Sequence, residues 1–346
     1  MKKFFIKTIL LSVLLLVSVQ AGFMSQAAGL PSDKDTTVLE TAEKSGISPY
    51  AGYMWRLDAA DCDRLPRNFR TIRSAYRDDV NPRKTGPGFT RTPSRKGLEN
   101  LRMSGSGQFS AGELKAMLPI LRKEAQSGPI YIVDLRQETH GFFAGNAVSW
   151  YGARDWGNIG KNKIEVLADE RERLQAAKEQ TLTVAALDKN KNPINAETKI
   201  IHQAFTEEQL VTSQGLHYYR IAATDHRWPS PENIDAFIYF VQTLPQGAWL
   251  HFHCQAGAGR TTAYMAMYDI LKNPSVPLDD ILSRQYLLGG TYVAYTEKHP
   301  RAADWKAPYY QEKAAMIQQF YQYVQQNYRQ HFRLTWSKWL TTHDKI

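Results

Sequence analysis

Apolar and polar positions along this chain fall into short runs that predict an alternation of strands and helices. Ser110 with Glu113 three residues on carries the signature of a capping box, and Leu114, Met117, Leu118 and Leu121 then share one helical face. Gly128-Pro129 stops that helix, and the apolar run Ile130–Val133 predicts a buried strand. A helix around Ile164–Lys178, strands near Thr181–Ala186 and Lys199–Ala204, and a turn over 188–193 come next. Thr206-Glu-Glu-Gln209 predicts a capped turn and His217–Ala222 a strand. Ser230 before Pro231 starts a helix whose Ile234, Phe237, Ile238 and Val241 form an apolar face. Ala248–Phe252 reads as a short buried strand, Thr262–Leu271 as a core helix, and residues 278–346 as further helices. Between 53 and 77 aromatics and arginines mix, and 81–107, ending in Ser104-Gly-Ser-Gly107, reads as a Gly/Pro/Ser/Arg loop region.

The first residues carry three lysines, an apolar stretch from Thr8 to Val19 and then small residues. This pattern predicts a secretory signal peptide over 1–28, cleaved after Ala21 or after Ala27/Ala28, and hence an exported protein. Residues 29–50 are polar, poor in pattern, and expected to be loosely ordered. The formal charge of +9 falls by three when 1–28 are removed, which leaves a basic protein suited to polyanions. Nucleic acid is disfavoured, since no basic block alternates with aromatics, and no later stretch is long and apolar enough to span a bilayer. No stable membrane association is expected. Only Cys62 and Cys254 occur, so this is no disulfide framework. Cys62 reads as a structural thiol, with a reversible Cys62–Cys254 bridge as the open alternative. The nine histidines show no metal-ligand spacing, and neither a metal nor a cofactor is expected.

Candidate chemistry concentrates in His253-Cys254-Gln255-Ala256-Gly257-Ala258-Gly259-Arg260-Thr261-Thr262. Strand, glycine loop and helix together aim backbone N–H groups and a helix N-terminus at one point, which suits a dianion. Cys254 is the expected nucleophile, its thiolate favoured by the helix N-terminus and Arg260. Arg260 is the expected bidentate clamp, with Gln255, Ala256, Gly257, Ala258 and Gly259 cradling the phosphate through their backbone. Thr261 can donate to the sulfur when it must leave. Asp225, on a loop between a strand and a capped helix, is the expected proton donor to the departing oxygen and later the base for water. Its neighbours His226 and Arg227 belong to the same loop. Asp134 opens the polar stretch Asp134-Leu-Arg-Gln-Glu-Thr-His-Gly141 at a strand's C-terminal end, where open α/β sheets bind ligands.

The loop 253–262 resembles the phosphate loop of the cysteine-dependent phosphatases. Together with Asp134–Gly141 and Ile221-Ala-Ala-Thr-Asp225-His226-Arg-Trp-Pro229, it resembles the protein-tyrosine-phosphatase-like phytases over roughly residues 50–330. In tyrosine phosphatases the order is Trp-Pro-Asp; here the aspartate precedes Trp-Pro, so Asp225 follows the phytase pattern. The resemblance implies an α/β fold, a twisted central sheet flanked by helices, with a small β-barrel-like accessory unit drawn from parts of about 51–105 and 145–205 within a 51–346 phosphatase domain. It implies hydrolysis of inositol hexakisphosphate through a phosphocysteine. His226, Lys306 and Lys313 match substrate-holding positions of the family, and Arg70 and Lys191 match them less closely. A secreted tyrosine or dual-specificity phosphatase acting on host proteins is the alternative reading.

Overall fold

The computed structural model describes residues 53–343; the expected signal segment and the polar stretch 29–50 lie outside the described residues. The chain forms β1 (Met54–Ala59), β2 (Arg70–Thr71), β3 (Met103–Ser106), α1 (Ala111–Ala125) and β4 (Ile130–Asp134). Next come β5 (His140–Phe143), β6 (Asn146–Tyr151), α2 (Lys163–Ala177), β7 (Thr181–Leu187), β8 (Pro193–Ile200) and β9 (Ala204–Phe205). The remainder is α3 (Glu207–Ser213), β10 (His217–Arg220), α4 (Pro231–Thr243), β11 (Trp249–His253), α5 (Gly259–Lys272), α6 (Leu278–Leu287), α7 (Ala307–Asn327) and α8 (Trp336–His343).

Local chemistry places most of the helix starts. Ser110 with Glu113, Asn162 with Glu165, and Thr206 with Gln209 each form a full capping box, and Ser230 caps α4 with Pro231 at its first turn. The Thr206 signal, read as a turn, extends into a short helix because Leu210 and Val211 find a core to bury against.

A five-stranded sheet runs β10-β4-β11-β3-β2; its first four strands are parallel and β2 pairs antiparallel at the edge. β3 corrects the loop reading at Ser104–Ser106, with Gly107 just beyond the strand end. The stretch is a fully buried strand beside β11, and a Cβ on Gly105 would lie 2.7 Å from Met265 Sδ and 2.9 Å from Thr261 Cγ2. Small residues here serve close approach to α5, not a turn. Helix α5 is buried continuously from Arg260 to Ile270, so it is the core helix that its composition predicts.

The other strands form a six-stranded sheet, β8-β7-β1-β6-β5-β9. It is mostly antiparallel, with β1 and β7 parallel. Its pairing is that of an open sheet, with β8 and β9 at the edges, and among the described residues no pairing closes it into a barrel. Trp55, Phe143, Val148, Leu174 and Val184 make a small core between this sheet and α2, separate from the large core around the five-stranded sheet. Among the described residues no helix is long and apolar enough to cross a membrane.

Candidate active site

The last residues of four neighbouring strands, Arg220, Asp134, His253 and Ser106, lie side by side in register, and the segments that leave these strand ends build the site. Cys254 follows β11, Glu138 comes from the segment after β4, and Asp225 from the segment after β10. This is the carboxyl edge at which parallel sheets bind ligands. A cavity of about 570 Å³ opens there, lined by Cys254, Arg260, Asp225, His226, Lys306 and Lys313 among others.

The loop below the cavity is held from behind. Arg67 donates to the Gln255 carbonyl, Asn68 Nδ2 donates to Ala256 O at 2.7 Å, and Arg70 Nη1 donates to Gly257 O at 2.8 Å. Turning these carbonyls outward leaves the loop's N–H groups free to face an anion. Gly257 has φ +71°, and a Cβ there would lie 2.3 Å from Gly107 N, so glycine is required by the backbone of β3. At Gly259 a Cβ would meet no protein atom within 4 Å; that side opens on the cavity. Helix α5 has no side-chain cap at Ala258. Thr261 Oγ1 donates to Cys254 Sγ at 3.2 Å.

Arg260 is gripped on both sides. Nη1 and Nη2 pair with the two carboxylate oxygens of Glu138 at 2.7 and 2.8 Å, and Nη1 also donates to Ala223 O at 3.0 Å. Its Nε lies 3.2 Å from Asp225 Oδ1, and Asp225 Oδ2 lies 3.1 Å from His226 Nε2. Burial acts to raise the Asp225 carboxyl, but the Arg260 guanidinium outweighs it and holds it below the usual carboxylate range. Burial brings His226 down to about 4, so the ring is neutral in this state. Burial also depresses the ammonium groups of Lys306 and Lys313, which lie against Trp305 and Tyr310 at 5.2 and 4.9 Å from the ring centroids.

Behind Arg260 runs a ladder of alternating charges that joins the two sheets. Glu138 Oε1 accepts from Arg136 Nε at 2.9 Å, Arg136 Nη1 pairs with Asp58 at 2.9 Å, and Asp58 pairs with Arg56 Nε at 2.6 Å. Arg56 Nη1 then reaches Asp155 at 2.9 Å. Burial chiefly, with Glu138 and Asp225 adding, pushes the Asp155 carboxyl up to about 6 in spite of Arg56.

Of the residues proposed from sequence, Cys254, Arg260, Asp225, His226, Arg227, Gln255, Ala256, Ala258, Gly259, Lys306 and Lys313 all line the cavity. Three do not. Asp134 is fully buried beneath the site; its Oδ2 accepts from Tyr218 OH at 2.6 Å and pairs with Arg220 at 2.9 Å and His140 at 3.1 Å. It ties the sheets together instead of meeting a ligand. Arg70 is also buried, where it braces the loop's carbonyls, and burial brings its guanidinium down to about 10. Lys191 sits exposed at φ +69° in the turn closed by Asp188, outside the cavity lining, though its charge acts on Lys306. Sequence reasoning missed Glu138, Arg67 and Asn68, and the far wall made by Arg77, Lys84, Tyr286, Tyr292 and Tyr295. Their signals were present as arginine density before 77 and acids after Asp134, but nothing local says which of them turn inward.

Cys62 and Cys254 are both free thiols, and Cys62 Sγ lies 3.7 Å from Glu113. The fold also gathers Asp134, Glu207 and His253 into a buried group with ligand atoms within 4.8 Å of one another, a proximity that sequence spacing does not reveal. His253 Nε2 lies 2.6 Å from Glu207, while Arg220 and His140 share Asp134.

Comparison with known proteins gives a consistent picture. The model of the PTP-like phytase family, described as inositol hexakisphosphate, matches residues 133–272. The tandemly repeated PTP-like phytase from Mitsuokella multacida is 62% identical, with TM-score 0.83 over 89% of this chain and 54% of that one. The same organism's PTP-like myo-inositol phosphatase, in complex with myo-inositol-(1,3,4,5)-tetrakisphosphate, is 61% identical, with TM-score 0.83 and the same coverage. A PTP-like phytase from Bdellovibrio bacteriovorus is 30% identical, with TM-score 0.65 over 85% of this chain and 97% of its own. The effector protein hopD2 of Pseudomonas syringae pv. tomato is 31% identical over 250 residues, 70% of this chain and 52% of hopD2. The chain thus spans about half the length of the Mitsuokella proteins and of hopD2.

Proposed function

The chain belongs to the PTP-like phytase family, and from that premise we propose that it is an exported phosphoric monoester hydrolase acting on myo-inositol hexakisphosphate. The observation that carries this reading is one cavity holding a thiol, a clamped guanidinium, a carboxyl and two lysines. An incoming phosphate dianion takes Arg260 Nε from Asp225, which then loses its main counter-charge and gains a proton. Cys254 Sγ attacks phosphorus; the S–P bond forms as the P–O ester bond breaks, and Asp225 gives its proton to the departing inositol oxygen. Water then attacks the phosphocysteine, Asp225 takes its proton, and the sulfur leaves as thiolate with the Thr261 hydrogen bond to receive its charge. Lys306, Lys313, His226 and Arg227 hold the phosphates that do not react, so that their binding orients the scissile one. The Mitsuokella complex with an inositol tetrakisphosphate supports this substrate class. The amino-terminal pattern of residues 1–28 supports export.

The tyrosines of the far wall favour a second reading, hydrolysis of phosphotyrosine in proteins. Phosphate release from inositol hexakisphosphate and from a phosphotyrosine peptide, in the wild type and in Lys306→Ala/Lys313→Ala, separates the two. The phytase reading expects higher kcat/KM on the inositol substrate and a strong, salt-sensitive loss on that substrate in the double variant. Higher kcat/KM on the peptide, or equal losses on both substrates, would overturn it.

A further inference from the structure

The loop that carries Asp225 is tied down at nearly every residue. Asn233 Nδ2 donates to Ala222 O at 3.0 Å, Arg260 to Ala223 O at 3.0 Å, and Thr224 Oγ1 to Gln137 Oε1 at 2.9 Å. At Asp225 itself the backbone carbonyl accepts from Trp156 Nε1 at 3.0 Å. The first three partners come from the five-stranded sheet and its helices, whereas Trp156 arrives from the six-stranded sheet, just past β6. Its indole is buried, packed edge-on to Trp305 and Tyr309 with centroids 5.9 Å away in both cases. Trp305 in turn stands edge-on to His226 at 4.9 Å.

The turn that delivers Trp156 is held in an uncommon shape. Arg154 and Asp155, neither of them glycine, both have φ +63°. Consecutive left-handed residues of this kind persist only where the surroundings over-determine them, and such strain clusters at functional sites. Here Arg56 of β1 holds Asp155, and the Arg154 guanidinium lies 4.0 Å from the Trp305 ring centroid. Arg56 is also the far end of the ladder that begins at Arg260. The contacts therefore close a ring: Arg260, Glu138, Arg136, Asp58, Arg56, Asp155, then along the chain to Trp156, across to Asp225, and back to Arg260. Clamp and acid are fastened to the two ends of one buried chain of side chains.

We propose that Trp156 is a positioning residue for the general acid: its indole N–H and packing fix the Asp225 backbone so that the carboxyl stays over the scissile ester when Arg260 turns to the phosphate. This rests on the reading of Asp225 as acid. Without that anchor, a carboxyl released by Arg260 is free to rotate out towards Lys306 and Lys313, whose ammonium groups its charge already favours. Positioning of this kind matters only when the leaving group needs a proton.

The test compares Trp156→Phe, Asp225→Asn and the double variant on inositol hexakisphosphate and on p-nitrophenyl phosphate, whose leaving group needs little protonation. Trp156→Phe removes the N–H and keeps most of the packing. It is expected to lower kcat on the inositol substrate about three- to tenfold, the scale of one hydrogen bond, with KM little changed and the nitrophenyl rate nearly intact. In the Asp225→Asn background the same substitution should cost nothing further, because its effect passes through that carboxyl. Trp156→His, which keeps a ring N–H, should recover part of the rate and serves as the second variant if the phenylalanine protein does not fold. Equal losses on both substrates, or a further loss in the Asp225→Asn background, would reduce Trp156 to a structural residue and overturn the proposal while leaving Asp225 as acid. If Asp225→Asn alone lost equally on both substrates, the acid assignment itself would fall, and the proposal with it.

Discussion

In the five-stranded sheet the row Ser106, His253, Asp134 and Arg220 is buried, whereas in the six-stranded sheet β8 is exposed along its whole length from Pro193 to Ile200. The first sheet works through its strand ends. Parallel strands covered on both faces bring Cys254, Glu138 and Asp225 to one edge, and the nucleophile and clamp lie within a single short stretch of chain, Cys254 to Arg260. The second sheet supplies none of the reacting atoms. It contributes Arg56 and Asp58 from β1 and Trp156 beyond β6, which act on the site through buried ion pairs and one hydrogen bond. Chemistry sits on the sheet whose geometry is over-determined, and the other sheet sets the spacing between groups that the first one supplies.

The largest effect is expected inside the five-stranded sheet. Cys254→Ser should abolish turnover while anion binding is largely kept, because backbone N–H groups and Arg260 form the anion site. Single-turnover assays and calorimetry with inorganic phosphate check both halves. Turnover at about a tenth of the wild-type rate would rule out the covalent route.

A smaller effect is expected from the six-stranded sheet. Asp58 is buried between Arg56 and Arg136 and also accepts from Gln255 Nε2 at 3.3 Å. Asp58→Asn leaves Arg136 to lean harder on Glu138, which it shares with Arg260. Losing one partner of a buried ion pair costs about 3–5 kcal/mol of stability. Misplacement of the clamp should lower kcat on the order of tenfold to a hundredfold. Activity measured well below the melting temperature separates the two. An unchanged kcat in the folded variant would show that the ladder is only structural and that the second sheet does not set the position of the clamp.

The smallest effect concerns the joint between the sheets. His140 of β5 reaches across to Asp134 of β4. Burial and Arg136 act to lower its basicity, but Asp134 and Glu170 prevail and push it up to about 9 from an ordinary 6.5. A folded-state value above the unfolded one contributes stability that is complete below about 6.5 and is lost as pH rises through about 9. His140→Gln should therefore lower the melting temperature by several degrees near pH 6, and the gap from wild type should narrow as pH approaches 10. A gap that does not change with pH would mean that the His140–Asp134 contact carries no charge.

Much of this was legible along the chain, because it is encoded in contiguous residues. Caps at Ser110, Thr206 and Ser230 depend on side chains two or three positions away from the N–H groups they satisfy, and the strand–loop–helix from Trp249 to Lys272 carries its own thiol, glycines and arginine. Asp225 was legible for the same reason, as a carboxyl between a strand and a capped helix. Contacts between distant segments were not. Asp134 and Glu138 stand four residues apart in one polar stretch; the first ends β4 and pairs with Arg220 and His140, whereas the second lies in the segment beyond it and meets Arg260. Arg70 resembles a substrate ligand by its charge, but β2 lies behind the phosphate loop, so the guanidinium meets backbone carbonyls there. Ser104-Gly-Ser-Gly107 has the composition of a loop, yet Ser104–Ser106 belong to a buried strand paired with β11, and Gly105 is small because α5 packs too closely for a larger side chain. Local pattern determined the elements and the nucleophile loop; which polar groups become buried neighbours was decided by tertiary packing, because long-range ion pairs leave no periodic mark on a sequence.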